Sequence, residues 1–150
     1  MYRGKRICLL VLSLLFPALP ACDNNTTEQG ELMNEKQLSA VGSKMNLTFP
    51  ADTRLLGVNE SHGIDDAVFL KVEISAAAWP KFLASSPFRE GDFAEDKRYL
   101  LEPDQDWWDP SAPQKLPTAQ TYLPGAKVLN MGVDKSNSQE VVVYLFWHAT

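Results

Sequence analysis

The chain has 150 residues, 45% of them hydrophobic and 22% charged, and its 19 acidic against 14 basic side chains give a net charge of −5 at neutral pH. That length accommodates one domain of ordinary size and leaves no room for a second. The acidic balance argues against nucleic acid or anionic lipid surfaces as partners, because binding either requires a basic face that replaces counterions.

The chain opens with Arg3, Lys5 and Arg6, continues with an apolar stretch from Ile7 to Leu19 broken only by Ser13 and Pro17, and then places the small residue Ala21 before Cys22. This order is that of a secretory signal peptide. At about 1.5 Å per residue the apolar run reaches about 20 Å as a helix, short of the roughly 30 Å hydrocarbon core, so it reads as a removed leader and not as a permanent span. The chain has two cysteines, and Cys8 lies inside the leader. A mature chain would keep Cys22 alone, which rules out an internal disulfide, a thiolate zinc cluster and a dithiol redox pair.

Leu19-Pro20-Ala21-Cys22 resembles the lipobox of bacterial lipoproteins. The resemblance implies cleavage between Ala21 and Cys22, removal of residues 1–21, and a diacylglyceryl thioether plus an amide-linked fatty acid on Cys22. Asp23, directly after the cysteine, implies retention at the inner membrane with the protein facing the periplasm. At about 0.8 kcal/mol per buried methylene, one acyl chain holds marginally and two or more hold firmly. The leader carries three of the fourteen bases and none of the nineteen acids, which leaves eleven bases against nineteen acids and a mature net charge of about −8. That charge permits a basic envelope protein or peptide as partner. Beyond the lipobox, the chain resembles small envelope lipoproteins only in outline.

Residues 22–46 are expected to form the lipidated cysteine and a flexible tether. The stretch is polar, and a short helix from Glu31 to Val41 has only Leu32, Leu38 and Val41 to bury. As a coil it would reach about 27 Å. Residues 47–150 are expected to form a single α+β domain: an antiparallel sheet of about four strands in two hairpins, one short helix packed on a face, and a long proline-rich loop. Leu55, Leu56 and Val58 suggest a first strand over 53–60, followed by the turn-prone Ser61-His62-Gly63. Val68, Leu70, Val72 and Ile74 alternate with Ala67, Phe69, Lys71 and Glu73, the period-two pattern of a second strand paired with the first.

Residues 75–86 read as a short helix whose start is constrained by Pro80, with Trp79, Phe82 and Leu83 sharing its buried face. Residues 87–124 hold six of the ten prolines and are expected to be irregular. Two strands, over 127–133 and 140–147, close the chain as a second hairpin joined by the turn-forming run 134–139. The last strand, from Val141 to Trp147, is apolar on both faces and is expected to be central in the sheet.

Chemistry is sparse. The acids Glu90, Asp92, Glu95, Asp96, Glu102, Asp104, Asp106 and Asp109 crowd one loop, but Trp108 and Asp109 occupy the fifth and sixth places of a calcium loop beginning at Asp104, where a ligand and glycine are required. No spacing selects an acid and base pair. His62, beside Asp65 and Asp66, and His148 are too few for a metal site, and no G-x-S-x-G turn occurs. We therefore expect no catalytic residues, no metal and no cofactor. The candidate binding surface is Trp107, Trp108 and Asp109 with His62, since adjacent tryptophans in an extended segment point in opposite directions, one inward and one available to a partner. The expected function is a non-enzymatic, lipid-anchored protein-binding module, with an immunity or inhibitor role as its concrete form. The alternatives are an envelope hydrolase using acids of the 90–109 loop and a structural lipoprotein that binds peptidoglycan.

Overall fold

A computed structural model describes residues 25–63, 65–95, 99–101 and 103–149. The leader, Ala21, Cys22 and Asp23 lie outside the described residues, as do Asp96 and Glu102. The elements in chain order are α1 (Asn25–Met45), β1 (Arg54–Ser61), β2 (Ala67–Ser75), α2 (Trp79–Ser85), a single 3₁₀ turn (Glu90–Asp92), β3 (Thr118–Leu123), β4 (Lys127–Asp134) and β5 (Glu140–Ala149). Five strands form one sheet in the order β1-β2-β5-β4-β3, every neighbouring pair antiparallel. The fold is α+β. No helix among the described residues is long and apolar enough to cross a membrane.

The two hairpins form where the alternating pattern and the turn residues place them, and β5 is the middle strand. Its odd residues Val141, Val143, Leu145 and Trp147 join Val68, Leu70, Val72 and Ile74 of β2 in the larger core. Its even residues Tyr144 and Phe146 join Phe69 in a smaller cluster on the opposite face. Burial of each such side chain stabilises by about 1.5–3 kcal/mol, so β5, covered on both faces, anchors the fold.

α2 begins as Pro80 requires, with Ala78 as its cap residue and the proline in the first turn, where an N–H would have had no helical partner anyway. It ends at Ser86, whose backbone N–H and hydroxyl both donate to the Leu83 carbonyl. Trp79, Phe82 and Leu83 face the larger core.

Two expectations need correction. The stretch read as a flexible tether to residue 46 is helical from Asn25 to Met45, and Leu38, Val41 and Met45 are buried in the same core as α2. These three recur at helical spacing, and the tertiary surface they meet supplies what a short amphipathic stripe lacks by itself. The helix stops at Asn46, which takes the left-handed conformation (φ 56°) while the Leu47 N–H donates to the Gly42 carbonyl and the Asn46 N–H to the Ser43 carbonyl. This double bond pattern satisfies carbonyls that have no helical partner, and asparagine tolerates the left-handed position.

The second correction concerns strand number. Residues 87–124 contain a fifth strand, β3, bounded by Pro117 and Pro124 and paired along β4 from Thr118↔Gly132 to Leu123↔Lys127. Its polar sequence gives little strand signal, and its conformation is set by the β4 ladder on one edge and by the reciprocal Ala94 and Thr118 backbone bonds on the other.

Candidate functional site

The smaller cluster is built on a row of residues that the register aligns across the sheet: Gly57, Lys71, Tyr144, Gly132 and Thr118. The two glycines are notches. A Cβ at Gly57 would lie 2.1 Å from the Trp107 ring, and one at Gly132 would lie 2.6 Å from a Leu100 methyl and 3.1 Å from Leu116. Glycine in a strand interior weakens the strand by itself, and here it lets an irregular segment approach the backbone. Trp107 settles over the first notch, half-buried, while Leu100 and Leu116 settle over the second.

Between the notches a polar clasp ties that segment to the sheet. The Lys71 ammonium donates to Asp109 Oδ1 at 2.5 Å and to the Trp107 carbonyl at 3.1 Å, and the Tyr144 hydroxyl donates to the same Oδ1 at 2.8 Å. The Lys71 side chain is 14% exposed and that of Asp109 46%, so the lysine depends on this partnership more than the carboxylate does. Lys71 also lies 5.0 Å from the centre of the Tyr144 ring, which packs edge-on to Trp108.

Burial alone pushes the Asp109 carboxyl up, but the hydrogen bonds from Lys71 and Tyr144 together with the lysine's charge outweigh it and hold the group below the usual carboxylate range. Burial, followed by the hydrogen bond to Asp109 and its charge, pushes the Tyr144 phenol above its ordinary value. The tyrosine remains a neutral donor and the aspartate an anion that accepts both bonds at Oδ1. The arrangement fastens the segment to the sheet.

The residues proposed from sequence as one surface are thus divided. Trp108 is buried, edge-on to Phe69, and its indole N–H donates to the Leu101 carbonyl at 2.7 Å. Trp107 covers Gly57, and Asp109 belongs to the clasp. His62 is exposed at the β1–β2 turn, where its Nδ1 lies 3.4 Å from Asp66 Oδ1, outside this cluster. His148 stacks on Phe146 at 5.0 Å. Four of the loop acids have cationic or backbone partners: Glu90 with Lys135, Asp92 with the Arg89 N–H, Glu95 with Lys115, and Asp109 with Lys71. Among the described residues no group of three or more His, Cys, Asp or Glu is arranged to hold a metal ion.

A second feature lies where α2, the 3₁₀ turn and the β4–β5 turn converge. A cleft of about 490 Å³ has Trp79, Phe93, Pro117 and Val133 among its walls, with Lys115, Asp134 and Lys135 also lining it. A second groove of about 420 Å³ is lined by Pro80, Leu83, Ala84 and Phe88. Trp79, Glu90 and Lys135 line both. The Lys135 ammonium donates to Glu90 Oε1 at 3.0 Å and sits 5.1 Å from the centre of the Trp79 ring. In the sequence Trp79 reads as part of the buried face of α2 and Glu90 as one of the acids that crowd the loop after it. No local pattern joins Glu90 to Lys135, which lie 45 positions apart. No family model, curated protein or solved structure matches this chain.

Proposed function

We propose that the chain is a lipoprotein of the bacterial cell envelope, fastened to the periplasmic face of the inner membrane through acylated Cys22, and that its folded unit is a non-enzymatic protein-binding module. The observation that carries this reading is the sequence Leu19-Pro20-Ala21-Cys22 after a basic and apolar leader, in a chain whose other cysteine is Cys8. An immunity or inhibitor role is its concrete form: an acidic domain held at the membrane would steer toward a basic partner and occlude it.

The geometry informs the choice of surface. One face of the sheet is covered by α1 and α2 and the middle of the other by the segment carrying Trp107 and Trp108, while Gln120 and Tyr122 of β3 stay exposed at the edge of that second face. The clefts beside Trp79 are the concave, largely apolar surface with a few charged groups at which a partner can be met.

The test is Cys22→Ser. We expect loss of radiolabelled palmitate incorporation and release from the membrane fraction, with cross-linking of the native protein in intact envelopes returning a reproducible partner. Unchanged fractionation of Cys22→Ser would overturn the anchor, and repeated cross-linking with no partner would overturn the module. Sedimentation with purified cell wall would instead favour the peptidoglycan reading.

A further inference from the structure

We propose that the Trp79 cleft receives a lysine or arginine side chain from an extended, apolar-flanked segment of the partner, and that Lys135 is a resident stand-in which the incoming cation displaces. This rests on the protein-binding reading above and specifies the partner's chemistry.

The chain itself shows what the site accepts. The Lys135 ammonium sits against the Trp79 ring and bonds the Glu90 carboxylate, an aromatic face and an anion converging on one cation. An aromatic face attracts cations and not anions, so the position selects the sign of its occupant. The tryptophan is fixed: it is 6% exposed, packs against Phe82 with ring centres 5.8 Å apart, and opens α2. The lysine is not, since its side chain is 47% exposed and that of Glu90 71%. An exposed pair of this kind holds weakly because both side chains are solvated and lose freedom on pairing.

The pair also stands where the two apolar grooves meet, for Trp79, Glu90 and Lys135 are the residues the grooves share. When Lys135 turns outward, the grooves become one channel with Trp79 at its middle. A chain laid along it places apolar side chains on either side and its basic side chain on Trp79 and Glu90. Asp134 adds a second carboxylate to the wall. Two further cations stand on the walls, Lys115 of the larger cleft, 3.7 Å from Glu95, and Arg89 of the smaller groove, which donates to the Phe88 carbonyl at 3.3 Å. The eleven bases against nineteen acids left after removal of the leader steer a basic segment toward the protein as a whole.

The experiment titrates full-length protein, labelled at its tryptophan indoles, with the blocked pentapeptide leucine-proline-lysine-proline-leucine. Two control peptides replace its lysine with Nε-acetyl-lysine or with glutamate. We expect the lysine peptide to shift the Trp79 indole resonance saturably and both controls to leave it unmoved. Lys135→Ala, which removes the internal competitor, is expected to tighten binding about three- to fivefold, and Glu90→Gln to weaken it by a similar factor. Equal shifts from all three peptides, no shift from any, preference for the glutamate peptide, or unchanged affinity in Lys135→Ala would each overturn the proposal. The two levels separate cleanly. An envelope partner cross-linked equally well by the wild type and by Glu90→Lys would sink the cleft and leave the module standing, whereas saturable lysine-peptide binding without any cross-linked partner would do the reverse.

Discussion

The two faces of the sheet are covered by different means. On one face, α1 and α2 bury Leu38, Val41, Met45, Trp79, Phe82 and Leu83 against the inward residues of β2, β4 and β5 in a continuous apolar core. On the other, an irregular segment lies against Phe69, Tyr144 and Phe146, seated in the notches at Gly57 and Gly132 and fastened by Lys71, Asp109 and Tyr144. The first face draws on area removed from water. The second uses shape and a few charge-assisted bonds to hold a segment whose described residues make no ladder beyond the Ala94 and Thr118 pair. Cohesion on the first face is spread over many residues, and on the second it is concentrated in a handful.

Substitutions should expose that difference. The largest loss is expected on the helix-covered face, where Leu145→Ala, at a fully buried position in the central strand, should cost about 2–5 kcal/mol in chemical denaturation. Next comes Gly57→Ala. Its added methyl meets the Trp107 ring, so the ring must leave or the strand must shift, at a cost of about 1–3 kcal/mol. Near-ultraviolet circular dichroism should report the change in tryptophan packing while the far-ultraviolet signal of the sheet persists. Lys71→Met should cost about 1–2 kcal/mol, because it removes the cation from a half-exposed carboxylate and not from a fully buried one. A double-mutant cycle with Asp109→Asn isolates the pair.

The clasp also sets a pH dependence. Because Asp109 titrates below its ordinary value when folded, its contribution is fully present above the unfolded carboxylate pKa of about 4 and is lost as pH falls through the depressed folded value. Asp109→Asn should therefore destabilise at neutral pH and flatten the acid limb of the stability profile. The smallest effect is expected at the Arg54–Glu73 pair, where the arginine is largely exposed: Arg54→Ala should leave the denaturation midpoint close to that of the wild type.

The same contrast explains what could be read from the sequence. Alternation in β2, double-sided hydrophobicity in β5 and the Trp79, Phe82 and Leu83 face of α2 are local patterns, and each marks the helix-covered core. α1 was harder because Leu38, Val41 and Met45 sit among polar neighbours, and their value depends on the core that receives them. β3 carries almost no signal of its own between two prolines and takes its conformation from β4. On the second face little was legible: Lys71 and Asp109 are 38 positions apart, Tyr144 looked like one more apolar residue of β5, and Asp109 looked like one acid among many. Gly57 and Gly132 were the available clue, since an isolated glycine within a strand pattern signals close approach of another part of the chain. The cleft shares this non-local character, as its defining pair joins the turn after α2 to the turn after β4.

Hydrogen exchange of the Trp108 indole N–H, compared with the backbone amides of β5 in wild type and Lys71→Met, tests most directly whether the second cover is held independently of the core. If it is, the substitution accelerates exchange at the indole, which is bonded to the Leu101 carbonyl, and leaves the β5 amides at their wild-type protection. Equal acceleration at both would show that the two faces open as one unit and would contradict the distinction drawn between them.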